Sequence, residues 1–204
     1  MTANEQIAAA QSRRGAPGNF LWLKGCGLET LPPEVFEFED LEFLLLEDNR
    51  LTHIPEDIVR IKNLKRINIS RNLLTEFPAS LLKLSQLSEI DLRHNQIERI
   101  SDTGVLGDLA LEYLDMGNNR LQEIPRFVFA APRLRVAIFT ENQIEGVNLR
   151  ALRKLRSLEV FLADKNPCFQ RLTTGQKSTN LAELCREPQT WIESFLKGSV
   201  IERT

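Results

Sequence analysis

One pattern occurs seven times along this chain of 204 residues, and its period leaves few folds open. LEFLLLEDNRLTHIP (41–55) returns as LKRINISRNLLTEFP (64–78), LSEIDLRHNQIERI (87–100), LEYLDMGNNRLQEIP (111–125) and LRVAIFTENQIEGV (134–147). A frayed copy, LEVFLADKNP, occupies 158–167, and an early copy, GNFLWLKGCGLETLP, occupies 18–32. The marker positions are Cys26, Asn49, Asn72, Asn95, Asn119, Asn142 and Asn166, spaced by 23, 23, 23, 24, 23 and 24 residues. A unit this short cannot bury its own apolar side. It is stable only when stacked on copies of itself, so the chain must form a solenoid.

The motif LxxLxLxxNxLxxI/LP at this period is the leucine-rich-repeat signature, and it covers roughly 18–167. Leucines at the first, fourth and sixth positions point inward and bury against neighbouring coils. The Asn sits where the chain leaves the strand, and its amide pairs backbone groups of adjacent turns. Leaving one such group unpaired costs about 1–3 kcal/mol. Cys26 cannot replace that amide, which suits a terminal coil with one full neighbour. After each Ile-Pro or Leu-Pro comes a second apolar pattern: Val35/Phe38, Ile58/Ile61, Leu81/Leu84 and Val128/Ala131. A spacing of three marks one face of a short helical or 3₁₀ turn. The expected fold is an α/β solenoid, a curved horseshoe of about seven repeats. Its concave side is a parallel β-sheet and its convex side is helical or 3₁₀.

Both ends of such a stack need covering. Residues 1–17 read as an N-terminal helical cap: ANEQIAAAQSRR (3–14) is alanine-rich, and Gly15, Pro17 and Gly18 end the helix. Residues 18–167 are the repeat array. Residues 168–204 read as a C-terminal helical cap, with Pro188 opening a helix that places Trp191, Ile192, Phe195 and Leu196 on one stripe.

The array resembles short cytosolic leucine-rich-repeat proteins of the Ras-group-related type and the repeat portions of Roco proteins. The return segment Ile54, Pro55, Ile58, Ile61 and the helix leading into a degenerate first repeat carry the likeness. It extends over the array and the N-terminal helix, and 168–204 match no family pattern. The resemblance implies binding of another protein on the concave sheet, in a scaffolding or signalling role, and a cytoplasmic location.

Several other functions are disfavoured. With 26 Lys+Arg against 28 Asp+Glu the chain is near neutral, so no basic stripe marks it for nucleic acid. The first residues lack the apolar stretch of a secretory signal, and no apolar run reaches the ~20 residues that span a bilayer. Cys26, Cys168 and Cys185 are odd in number and form no CxxC pair, so reduced thiols are expected, with no metal and no cofactor. TGQKS (174–178) lacks the GxxxxGK[ST] spacing of a phosphate loop. His94 near Glu89 and Asp91 lacks the enclosure that acid–base chemistry needs. RALRKLR (150–156) has leucines at convex-side spacing, so its charges form a solvated face. The chain reads as no enzyme.

Successive strand residues point to opposite faces. The third and fifth motif positions therefore leave the core and line the concave face as Phe20/Trp22, Phe43/Leu45, Arg66/Asn68, Glu89/Asp91, Tyr113/Asp115, Val136/Ile138 and Val160/Leu162. That face is zoned, with two apolar coils, a charged middle and two aliphatic coils. The candidate partner-binding residues are Phe20, Trp22, Phe43, Leu45, Arg66, Asn68, Glu89, Asp91, Arg93, Tyr113 and Ile138. With half of the four leading apolar side chains exposed, the first zone amounts to about 300–400 Å², a size often functional on monomers. Two readings stay open at this stage. The face docks a protein or peptide, or its apolar zone is a homodimer interface. The chain's own N-terminal residues are a third possible cover for that zone.

Overall fold

A computed structural model describes residues 2–11, 19–100, 109–152, 154–168 and 201–202. Seven three-residue strands form one parallel sheet in chain order: β1 (Phe20–Trp22), β2 (Phe43–Leu45), β3 (Arg66–Asn68), β4 (Glu89–Asp91), β5 (Tyr113–Asp115), β6 (Val136–Ile138) and β7 (Val160–Leu162). A two-residue strand, β8 (Ile201–Glu202), pairs antiparallel to β7 at the sheet edge. The fold is a leucine-rich-repeat solenoid with 3₁₀ turns and, among the described residues, few helices.

Each turn of the solenoid follows from its sequence. In coil two, Leu41, Leu44 and Leu46 at the first, fourth and sixth positions are fully buried, as is Leu51 beyond the marker. Val35/Phe38, Ile58/Ile61, Leu81/Leu84 and Val128/Ala131 are buried too, against the back of the sheet. Pro32, Pro55, Pro78 and Pro125 each precede a five-residue 3₁₀ turn, at Pro33–Glu37, Glu56–Arg60, Ala79–Lys83 and Arg126–Ala130. Proline fixes φ near −65° and has no N–H to leave unpaired, which suits the residue that opens a turn. Coil six lacks that proline. There Asn148 caps the short helix α2 (Leu149–Leu152), its Oδ1 accepting the Ala151 N–H at 3.1 Å.

The marker asparagines form a ladder with a direction. Asn95 Nδ2 donates to the Leu92 carbonyl of its own coil and to the Ile69 carbonyl of the coil before, both at 3.0 Å. Its Oδ1 accepts the Leu74 N–H, also from the preceding coil, at 3.0 Å. The same three bonds recur at Asn49, Asn72, Asn119 and Asn166 and at Asn142. Among the described residues no marker reaches forward. Cys26 stands in the first coil, with no earlier coil to reach, and its thiol makes one contact, to the Lys24 carbonyl at 3.7 Å. The sequence expectation of a one-neighbour coil is thus sharpened, since what the first coil lacks is a predecessor.

Two residues beyond each strand's last buried position the chain turns through the left-handed region. Asp48, Arg71, His94, Asn118, Glu141 and Lys165 hold φ between 54 and 59°, and Gly25 takes φ 63° in coil one. The N–H groups so aimed bond forward to the next coil, as Asp48 to the Ser70 carbonyl and Arg71 to the Arg93 carbonyl.

Helix α1 (Ala3–Gln11) packs against β1 with Ile7 buried in the array's core. Residues 12–18, including Gly15, Pro17 and Gly18, lie outside the described residues. So do 169–200, which hold nearly all of the expected C-terminal cap, TGQKS and Cys185. Cys26 and Cys168 are half-buried.

Candidate functional site

The strand register aligns the concave side chains in two columns. One runs Phe20, Phe43, Arg66, Glu89, Tyr113, Val136, Val160, and the other Trp22, Leu45, Asn68, Asp91, Asp115, Ile138, Leu162. The central residue of each strand is buried and its neighbours point away from the core. All eleven candidate residues therefore share one face, with Arg93 just past the end of β4.

The leading apolar zone is smaller than the side chains alone imply. Phe20 and Trp22 are 43% and 49% exposed, and among the described residues Leu73 is the only other large hydrophobic residue in that class. Phe43 and Leu45 are part-buried. The Arg66 guanidinium lies over the Phe43 ring, 5.7 Å from its centroid, and reduces its exposure. Arg66 is fixed there by Glu89, with Nη2 donating to Oε1 at 2.7 Å and Nε facing Oε2. That bond is the main reason its pKa is raised. Helix α1 leaves both Phe20 and Trp22 half-exposed, so Ala3–Gln11 does not cover the zone.

Beyond Arg66 the face opens into a groove of about 280 Å³ lined by Leu45, Arg66, Ile67, Asn68, Glu89, Asp91 and Tyr113. Three side chains of the second column have a structural task as well. Asn68, Asp91 and Asp115 each accept the backbone N–H two residues on, from Ser70 at 2.9 Å, Arg93 at 3.1 Å and Gly117 at 2.9 Å. These Asx turns pair N–H groups in the three middle coils.

The carboxylates are poorly solvated. Burial pushes Asp91 up to about 6, eased by the Arg93 N–H and reinforced by the charges of Asp115 and Glu47. Asp115, 4% exposed, is raised first by burial too. Tyr113 is pushed up to about 12 by burial and then by the Asp115 and Asp91 charges, its hydroxyl making a long 3.5 Å contact to Asp115 Oδ2. Arg93 Nε stands 3.2 Å from Asp91 Oδ2. Asp115 and Glu47 are absent from the candidates chosen by sequence. Asp115 carried a legible signal, an acid in the column of Asp91 with glycine two residues on, whereas nothing local marks Glu47 as enclosed. The exposed His94 turns off the strand end with φ 55°.

A stacked parallel sheet with Asn-laddered coils defines a leucine-rich-repeat array, the class whose extended concave surfaces generally mediate protein–protein interaction. The sequence agrees. Residues 39–97 and, overlapping them, 62–121 match the leucine rich repeat family model. Among solved structures, the leucine-rich repeat domain of the type III effector XopL aligns with a TM-score of 0.67 at 20% identity, covering 81% of this chain and 58% of that one. A leucine-rich-repeat protein of Leptospira interrogans aligns with a TM-score of 0.51 at 20% identity, over 78% of this chain and 51% of that one. The chain thus spans little more than half the length of either, and the likeness is one of fold. No curated protein sequence matches the chain. No helix among the described residues is long and apolar enough to cross a membrane, and no group of three or more His, Cys, Asp or Glu side chains there could hold a metal ion.

Proposed function

We propose that this chain is a non-catalytic interaction module that docks a protein or peptide on the concave face of its sheet. The observation that carries the reading is the half-exposed pair Phe20 and Trp22 beside a charged groove. Covering an exposed aromatic surface yields about 25 cal/mol per Å² gross, and association costs of roughly 4–15 kcal/mol offset most of that. The apolar zone therefore anchors, and the polar middle, Arg66 to Tyr113, selects. Ile138 and the aliphatic coils at the far end extend the same surface. A scaffolding or regulatory role in the cytoplasm fits the Ras-group-related likeness of the Ile-Pro return segments.

The test is affinity capture with wild-type protein against Trp22→Asp. Proteins retained by the first and lost by the second support the reading, and an unchanged set refutes it. A second reading, self-association through the same aromatic pair, is favoured by their exposure alone. Light scattering separates the two: a concentration-dependent dimer that Trp22→Asp abolishes would favour self-association, and a constant monomer mass would exclude it.

A further inference from the structure

We infer that the segment docked on this face presents an apolar side chain to Phe20 and Trp22 and, four residues further along an extended backbone, an arginine or lysine to Asp91 and Asp115. The inference rests on the docking reading above and adds the chemistry of what docks.

The groove is short of positive charge. Two carboxylates line it, Glu89 and Asp91, and the charges of two more, Asp115 and Glu47, are felt at Asp91. Arg66 is already held by Glu89 on one side and by the Phe43 ring below. Lys24 is shared between Glu47 at 3.7 Å and Asp48 at 3.4 Å. Arg93 sits against Asp91. Asp115 has the Gly117 N–H and the long Tyr113 contact; the charges of Arg93 and His94 are felt there, but among the described residues no cation comes within ion-pair distance of it. Glu47 Oε2 is enclosed and has no hydrogen-bond partner. Its charge is felt at Asp91, as is that of Asp115.

This arrangement discriminates among occupants. An anionic segment meets like charge. A neutral segment removes the last water from Asp91 and Asp115 and offers nothing in return, which is costly for a charged group. A cationic side chain replaces that water with an opposite charge, and the half-buried Tyr113 ring beside it offers a further favourable surface for a cation. Neighbouring strands lie about 4.8 Å apart, so the three spacings from β1, which carries Phe20 and Trp22, to β4, which carries Asp91, span ~14 Å, and Asp115 lies one spacing further on β5. An extended chain advances about 3.3 Å per residue and returns side chains to one face every second residue, so a residue four positions on matches in distance and in direction.

The probe is a phage-displayed library of random dodecapeptides, selected on the whole chain. The test variants are Trp22→Asp and the double substitution Asp91→Asn with Asp115→Asn. Asparagine keeps the Asx turns, as Asn68 shows in the same column, so the double variant should melt no lower than wild type. The expected peptides carry an aromatic or aliphatic residue with Arg or Lys four residues on. They should lose binding to Trp22→Asp and bind the double variant at least tenfold more weakly, with that difference shrinking as salt rises. Peptides lost by Trp22→Asp but indifferent to the double variant would overturn the cation assignment and leave the docking reading standing. A cation about ten residues from the anchor, ~15 Å along a helix, would mean a helical occupant and overturn the extended one. Peptides indifferent to Trp22→Asp, or no selection at all, would overturn both.

Discussion

Replacing Asp91 by asparagine should make the protein more stable at neutral pH, although it deletes a charge that faces an arginine. Burial raises the Asp91 carboxyl from an ordinary 3.8 to about 6. Above pH ~6 the folded chain holds a carboxylate that the unfolded chain solvates better. A tenfold difference in proton affinity between the two states is worth about 1.4 kcal/mol, so the whole rise sets a ceiling of about 3 kcal/mol. The carboxylate retains some water, which reduces that to about 1–2 kcal/mol. The attraction of Arg93 is already contained in that net rise, since its charge lowers the Asp91 value. Asparagine still accepts the Arg93 N–H, and Asp115 is relieved of a like charge. The sign with pH follows from the upward direction of the change. The penalty is complete above the folded value and fades as pH falls toward the unfolded one, because the folded state then takes up the proton first. Urea denaturation near pH 7.5 should show a higher midpoint for Asp91→Asn at unchanged slope, and near pH 3.5 the two proteins should coincide. A variant less stable at the higher pH, or equally displaced at both, would refute the burial argument.

Asn95→Ala should cost about 2–4 kcal/mol, chiefly by orphaning the Leu74 N–H, because the Ile69 and Leu92 carbonyls keep the amides of Asn72 and Asn119; Cys26→Ala should leave the melting temperature nearly unchanged. Leu44→Ala, at a fully buried position, should cost roughly 2–5 kcal/mol, and Phe43→Ala about 1 kcal/mol or less, the cation–π contact of Arg66 being its main loss; the reverse order in a denaturation series would move the register by one. Arg71→Gly should raise the melting temperature slightly, since φ 55° costs an L-residue about 1–2 kcal/mol and glycine's extra chain entropy returns only part of that. Arg71→Val should lower it.

The sequence made the columns of the concave face legible because two periods, near 23 residues along the chain and two along each strand, leave one register only. It also marked the convex turns, through Ile-Pro and the spacing of three. What it could not carry is what side chains do once stacked. Arg66 reads as a charged neighbour of Phe43, yet the fold lays it on the ring and reduces the apolar zone. Asp91 reads as a surface acid, yet its Asx turn and the adjoining Asp115 draw it into the sheet face. The contacts between coils join residues 23 or 24 positions apart, and no local pattern records how deeply they sit. The direction of the asparagine ladder was equally hidden, because the repeated letter is the same whichever neighbour it serves.

That direction bears on how the chain is made. Synthesis delivers the first coil first, and each marker amide finds its acceptors and its donor already in place in its own coil or the coil before it. A nascent chain halted just after any marker has no marker side chain waiting for a partner still to be synthesised. The same asymmetry governs rearrangement by gene duplication. A copied internal coil inserted within the array continues the ladder without a gap, whereas the Cys26 coil moved inward would break it at that point.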